Sequence, residues 1–172
     1  MSRRREQGLA ASWMDGFGMV RSPSFGALVM LGLVMLTIFL IWLLAAQTIY
    51  VFTLGPEPPS SITGFARDVL TTGAGWALIV VGMGVGFAFA LVVLTVSVVS
   101  FPMLLDRDVG LGVAIATSVR AVAANPRPMA VWGMIVAGSL AIGSIPLLLG
   151  LIVVVPVLGH ATWHLYRKLV PR

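Results

Sequence analysis

His160 and His164 are the only histidines in a chain of 172 residues. They stand four residues apart, a spacing that puts both imidazoles on one face of a helix. Such a pair can ligate zinc or copper, or place an imidazole on a haem iron with help from elsewhere in the fold. Zinc needs two further ligands, and the chain has no cysteine and no third histidine to provide them. Asp106, Asp108 and Glu6 are the carboxylates that could join the pair. A second reading is simpler. The pair lies inside Gly159-His160-Ala161-Thr162-Trp163-His164-Leu165-Tyr166-Arg167-Lys168, where aromatic and basic residues follow an apolar run. Trp163 and Tyr166 then anchor the helix at headgroup depth, and Arg167 and Lys168 mark its exit from the lipid. This reading is preferred, because the pair has no acidic neighbour on its own helix. No metal is expected, and His160 and His164 are kept as the residues of an alternative haem or metal site.

Asp106-Arg107-Asp108 is the other compact polar group. Two carboxylates two residues apart could do acid–base work, but capping a helix and pairing with an arginine is the more ordinary use. No serine-nucleophile elbow, phosphate-binding glycine loop or zinc-protease helix motif occurs. No catalytic residue is assigned, and the chain is read as not an enzyme.

Composition places these groups in a membrane. The chain is 59% hydrophobic and 10% charged, with a mean hydropathy of +1.04. A soluble domain carries about 25% charged residues and cannot hide this much apolar surface. The formal charge of +5 would suggest nucleic acid in a soluble protein. Here the basic residues sit at the ends of apolar runs, so nucleic acid is excluded as a partner. The absence of cysteine excludes disulfides, thiolate metal sites and a cysteine nucleophile. Arg3-Arg4-Arg5 followed by an apolar stretch resembles a signal peptide, but the stretch is far longer than a signal core of about 7–15 residues.

The elements follow from run lengths and breakers. Residues 1–24 read as a cytoplasmic segment that lies at the interface or is loosely ordered. A first span runs over 24–52; at ~1.5 Å per residue it reaches ~43 Å and must tilt or project. Gly55-Pro56-Glu57-Pro58-Pro59 breaks the chain, and 61–72 forms a short surface helix. A second span covers 73–100, with Pro102 just past its end. Asp108 is the expected N-cap of a helix over 109–124. That helix is short for a span and contains Arg120. With Leu111, Ile115, Val119 and Val122 on one face, it reads as an amphipathic helix lying in the interface. Asn125 and Pro126 suit the N-cap and first position of the next helix. Spans over 126–143 and 146–166 follow, joined by a tight turn at Gly143-Ser144-Ile145-Pro146, with Pro156 bending the last. The fold class is all-α: a single domain over 25–170 with four transmembrane helices and an interfacial helix between spans two and three.

Four spans with both termini cytoplasmic put Arg3, Arg4, Arg5, Arg21, Arg107, Arg120, Arg127, Arg167, Lys168 and Arg172 on one side. Of the eleven basic residues, only Arg67 falls on the other. A fifth span at 109–124 would break this bias. The apolar interiors of the spans hold no Asp, Glu, Lys or Arg, whereas proton relays and ion pathways place such groups within the membrane. No inverted repeat is visible. Gly82, Gly86 and Ala90, and again Gly133, Ala137 and Ala141, make stripes of small residues. Such stripes let helices approach closely; they serve internal packing of these helices or, as the alternative, a partner.

Four blocks carry a family resemblance: Thr71-Thr72-Gly73-Ala74-Gly75-Trp76; Val99-Ser100-Phe101-Pro102-Met103-Leu104-Leu105-Asp106-Arg107-Asp108; Thr117-Ser118-Val119-Arg120 with Asn125-Pro126; and Gly159 to Arg167. Together they resemble a family of bacterial predicted integral membrane proteins, domain of unknown function 2189. The resemblance extends over about 25–170, and the last block is its most specific part. It implies a small polytopic inner-membrane protein and supplies no activity or cofactor. Some members carry a name linking them to cytochrome c oxidase subunit I. That subunit needs many more spans and a larger set of haem and copper histidines than the two present here.

The functional expectation is a non-catalytic accessory, assembly or scaffolding subunit of a larger membrane complex, such as a respiratory one. Its partner would be another membrane protein or a second copy, besides the lipid bilayer. Asp106, Arg107, Asp108, Arg120, Trp163, Tyr166 and Arg167 would face that partner. The alternatives are a haem- or metal-binding protein using His160 and His164, and a small pore or transporter formed by oligomers.

Overall fold

A computed structural model describes residues 25–170; the segment 1–24, with Glu6, and residues 171–172 lie outside it. The described chain is all-helical. Its helices are α1 (Phe25–Leu54), α2 (Ile62–Thr71), α3 (Gly73–Ser97), α4 (Ser100–Asp106), α5 (Leu111–Ala124), α6 (Pro126–Ser144) and α7 (Leu151–Leu169). Two runs are long and apolar enough to cross a bilayer: α1, and the stretch Gly73–Asp106 that α3 and α4 share. Their large apolar side chains are largely bare; Phe52 is 84% exposed and Met83 72%. In water each such side chain forgoes about 1.5–3 kcal/mol of burial, whereas lipid removes that cost.

The chain divides into two compact units. The unit of residues 32–93 holds most of α1, all of α2 and most of α3. The break between α1 and α2 is tied by Tyr50, whose hydroxyl donates to the Glu57 carbonyl at 2.8 Å and whose ring lies 6.4 Å from that of Phe65. Ser61 caps α2 by accepting from the Gly64 N–H at 3.0 Å. Thr72 serves two helices at once. Its hydroxyl donates to the Asp68 carbonyl at the end of α2 and accepts from the Gly75 N–H at the start of α3. The chain turns so sharply here that a Cβ on Gly75 would meet the carbonyl oxygens of Val69 and Asp68 at 2.3 and 2.4 Å. The expected surface helix over 61–72 is therefore present, and its end is built into the start of α3.

The other unit, whose described residues are 25–31 and 94–170, packs α4 against α5 and α7, α5 against α6, and α6 against α7. Its core joins Val98, Val99, Met103, Met129, Trp163 and Tyr166. Several boundaries differ from expectation. The second span does not run unbroken to residue 100: the helix stops at Ser97 and resumes at Ser100. Pro102 explains this, because it has no N–H for the Val98 carbonyl and its ring crowds that carbonyl. Within α4, Pro102 occupies the first turn, where no N–H is needed. Gly110, not Asp108, is the N-cap of α5. Pro126 opens α6 and Asn125 holds its N-cap position, as expected, but the Asn125 side chain makes no capping bond there; it turns backward and donates to the Ala121 carbonyl of α5 at 3.0 Å.

The turn between α6 and α7 is longer than the one expected at 143–146. α6 continues to Ser144, and Leu147 and Leu148 take positive φ angles of 50° and 69°, a region bulky residues seldom enter. Gly143 is a packing residue rather than a turn residue. A Cβ on Gly150 would meet the Gly143 carbonyl oxygen at 2.7 Å, so the two helices close on each other through paired glycines.

Candidate functional site

Two polar constructions hold the unit of α4 to α7 together. The first lies at the α3–α4 break. The Val99 N–H donates to Ser118 Oγ at 3.2 Å, and Ser118 Oγ donates to the Thr95 carbonyl at 2.7 Å. Val99 and Thr95 are the donor and acceptor an unbroken helix would pair directly. One hydroxyl from α5 has entered that bond and satisfies both groups, one of the identifiable causes of a helix break. Ser118 is fully buried, so either group left unpaired would carry a full desolvation cost.

The second construction is centred on the Asp106 carboxylate at the end of α4, whose side chain is only 9% exposed. Its Oδ2 accepts from the Tyr166 hydroxyl at 3.1 Å. The Arg167 guanidinium lies 3.7 Å from the same oxygen and the Arg107 guanidinium 3.9 Å. Three partners from two helices meet one carboxylate oxygen, joining the end of α4 to the end of α7. Trp163 lies beside the Tyr166 ring with centroids 5.7 Å apart. This arrangement fixes a charge against its own counter-charges and aligns two helix ends.

The expected positions are thus partly rearranged. Trp163 is 7% exposed and Tyr166 fully buried, so neither reaches outward to the headgroups; both are core residues, turned inward by the periodicity of α7 against Met103 and Met129. Asp106, Arg107, Tyr166 and Arg167 come together as one cluster. Asp108 and Arg120 are exposed, the first just past the end of α4 and the second on α5. On α5 the inward face runs through Ala114 and Ser118, and Val119 points out at 41% exposure.

His160 and His164 are both exposed. His160 Nδ1–H donates to the Pro156 carbonyl at 3.0 Å, which leaves Nε2 facing away from the helix. Among the described residues no three His, Asp or Glu side chains converge on one point, and the Asp106 carboxylate is engaged with Tyr166.

The small-residue stripes also differ from expectation. A Cβ on Gly82 would meet nothing within 4 Å, one on Gly86 only the Trp42 indole nitrogen at 3.8 Å, and one on Gly133 the Leu94 side chain at 3.5 Å. Ala90, Ala137 and Ala141 are exposed. Neither stripe is a seam of close backbone approach. The residues that do fill that role, Gly75, Gly143 and Gly150, lie at helix joints. Their signal in the sequence was the sharp turn each joint requires.

A family model described as "Predicted integral membrane protein (DUF2189)" matches residues 1–106. The match takes in the Thr71–Trp76 block, with its Thr72 and Gly75 joint, and ends at Asp106. The blocks at 117–120, 125–126 and 159–167 lie beyond it, so the resemblance drawn over 25–170 is carried by its first part. No curated protein and no solved structure matches the chain.

Proposed function

This chain belongs to the family of predicted integral membrane proteins DUF2189, and from that premise we propose a non-catalytic accessory, assembly or scaffolding role in a larger complex of the bacterial inner membrane. α1, α3, α6 and α7 span the bilayer, and both termini are cytoplasmic. At ~1.5 Å per residue the 19 residues of α6 and of α7 reach ~28 Å, close to the ~30 Å hydrocarbon core. The 14 residues of α5 reach only ~21 Å, which suits a helix lying in the interface.

The observation that carries this reading is how the polar groups are used. α1 and α3 contain no Asp, Glu, Lys, Arg or His, where a proton or ion pathway would need such groups. Below α3, Ser118 is spent on a helix break and Asp106 on its tyrosine and arginines. The outward surface of α3 is apolar, and Gly82 on it leaves open space within 4 Å, a surface suited to close approach by another helix.

The test is purification of the tagged full chain from its own membrane in a mild detergent, followed by mass spectrometry of what migrates with it. A recurrent stoichiometric membrane-protein partner is expected. A particle of one 18.2 kDa chain under every mild condition overturns the reading.

A further inference from the structure

The unit of α4 to α7 gathers its positive charge at one end. The apolar cluster brings Ala121 and Val122 of α5, Met129 of α6, and Tyr166 and Leu169 of α7 together. Arg120, Arg127 and Lys168 each lie within two residues of a member of that cluster, and all three are exposed. Arg107 and Arg167 share the Asp106 carboxylate. Among the described residues, Arg120, Arg127 and Lys168 have no carboxylate partner. The described part of this unit therefore holds five cations against the two carboxylates Asp106 and Asp108. Beside Arg120, the exposed Val119 adds an apolar surface, and Val113 lies outward on the same helix.

We propose that this end of the unit binds the headgroup of an anionic phospholipid, with Arg120, Arg127 and Lys168 meeting the phosphate charge and the outward valines of α5 meeting the acyl chains. The charge complementarity names the occupant: an unbalanced basic cluster at the end of a membrane bundle attracts anionic headgroups. Arg presents a planar fork that can hold a phosphate through two N–H groups, and Lys adds a point charge. The adjoining apolar surface distinguishes a lipid from a free phosphate. The inference rests on the reading above only in placing this end at the membrane surface. Cysteine labelling reports that placement without any lipid binding, so the two failures are distinguishable.

The test uses the full chain in a neutral maltoside detergent, titrated with phosphatidylglycerol or with phosphatidylcholine of the same acyl chains, bound lipid being read by native mass spectrometry. Phosphatidylglycerol is expected to bind, phosphatidylcholine to bind far more weakly, and added NaCl to weaken the former. At low salt the Arg120→Gln/Arg127→Gln/Lys168→Gln variant should bind phosphatidylglycerol roughly a hundredfold more weakly, about fivefold for each cation, with an unchanged helical circular dichroism spectrum. Glycerol phosphate in solution should not compete at equal concentration. Equal retention of both lipids, full competition by glycerol phosphate, or undiminished binding by the folded variant overturns the proposal. If the variant does not fold, a phosphatidylglycerol affinity of the unmodified chain that is flat with NaCl does the same.

Discussion

Ser118 Oγ donates to the backbone carbonyl of Thr95 at 2.7 Å from a helix 23 residues further along the chain. The same oxygen accepts from the Val99 N–H. A break in an apolar helix frees a donor and an acceptor, and Ser118 and Val99 are both fully buried, out of reach of water. Ser118→Ala removes the bridge while keeping the volume nearly constant. A loss of about 1–3 kcal/mol is expected, read as a lower midpoint in thermal unfolding of the detergent-solubilised protein. Hydrogen exchange at the Val99 amide should accelerate more than exchange in the middle of α3. Equal stability and equal exchange would mean that the hydroxyl does not hold the break.

The Asp106 carboxylate binds α7 through Tyr166 and Arg167. Tyr166→Phe keeps the ring in the core and deletes the hydroxyl, so its cost is one hydrogen bond to a charged group, about 1.5–3 kcal/mol. Asp106→Ala removes the counter-charge of two arginines as well and should cost more. In a double-mutant cycle the two should couple by about 0.5–3 kcal/mol. Additive effects within about 0.3 kcal/mol would show that the hydroxyl and carboxylate do not act as a pair.

Two glycines of α3 should respond oppositely to one added methyl group. A Cβ on Gly75 meets the Val69 and Asp68 carbonyl oxygens near 2.3 Å, whereas one on Gly82 meets nothing within 4 Å. Gly75→Ala forces backbone to move at the α2–α3 joint and should destabilise by about 1–3 kcal/mol. Gly82→Ala should be neutral or stabilising, since alanine is the better helix former by about 1 kcal/mol. Unfolding of both variants in the same detergent checks this. A stable Gly75→Ala would place the joint differently.

The helical class and the two longest apolar runs are legible because lipid lets such long runs stay bare of a polar face. The core of the second unit was harder to read. An aromatic residue beside Arg167 and Lys168 has the same sequence signature whether it reaches toward headgroups or turns inward, so the sequence alone reads Trp163 and Tyr166 as anchors. On α5 the inner face passes through Ser118, and a serine counts as polar until its partner is known. That partner is a backbone break created by Pro102, a residue 16 positions earlier. Hydrophobicity alone therefore puts the face through Val119, which points out. Asp106 and Tyr166 are 60 residues apart, and only the packing of α4 on α7 brings them together.

Topology is the sharpest remaining test, and the absence of cysteine makes every introduced thiol a unique label. Three exposed positions test the five-span alternative: Ser61 before α2, Asp108 between α4 and α5, and Lys168 at the end of α7. With α1, α3, α6 and α7 spanning and α5 in the interface, a membrane-impermeant maleimide added to intact cells with a permeabilised outer membrane labels Ser61→Cys. It reaches Asp108→Cys and Lys168→Cys only after the inner membrane is opened. A fifth span at α5 would carry Lys168 to the same side as Ser61, and a bundle with only α1 and α3 spanning would leave the Lys168 result unchanged. A fourth thiol, Leu148→Cys in the exposed turn between α6 and α7, separates that case. Labelled from outside, it places α6 and α7 across the bilayer. Labelled only after opening, it leaves two spans and overturns the four-span arrangement.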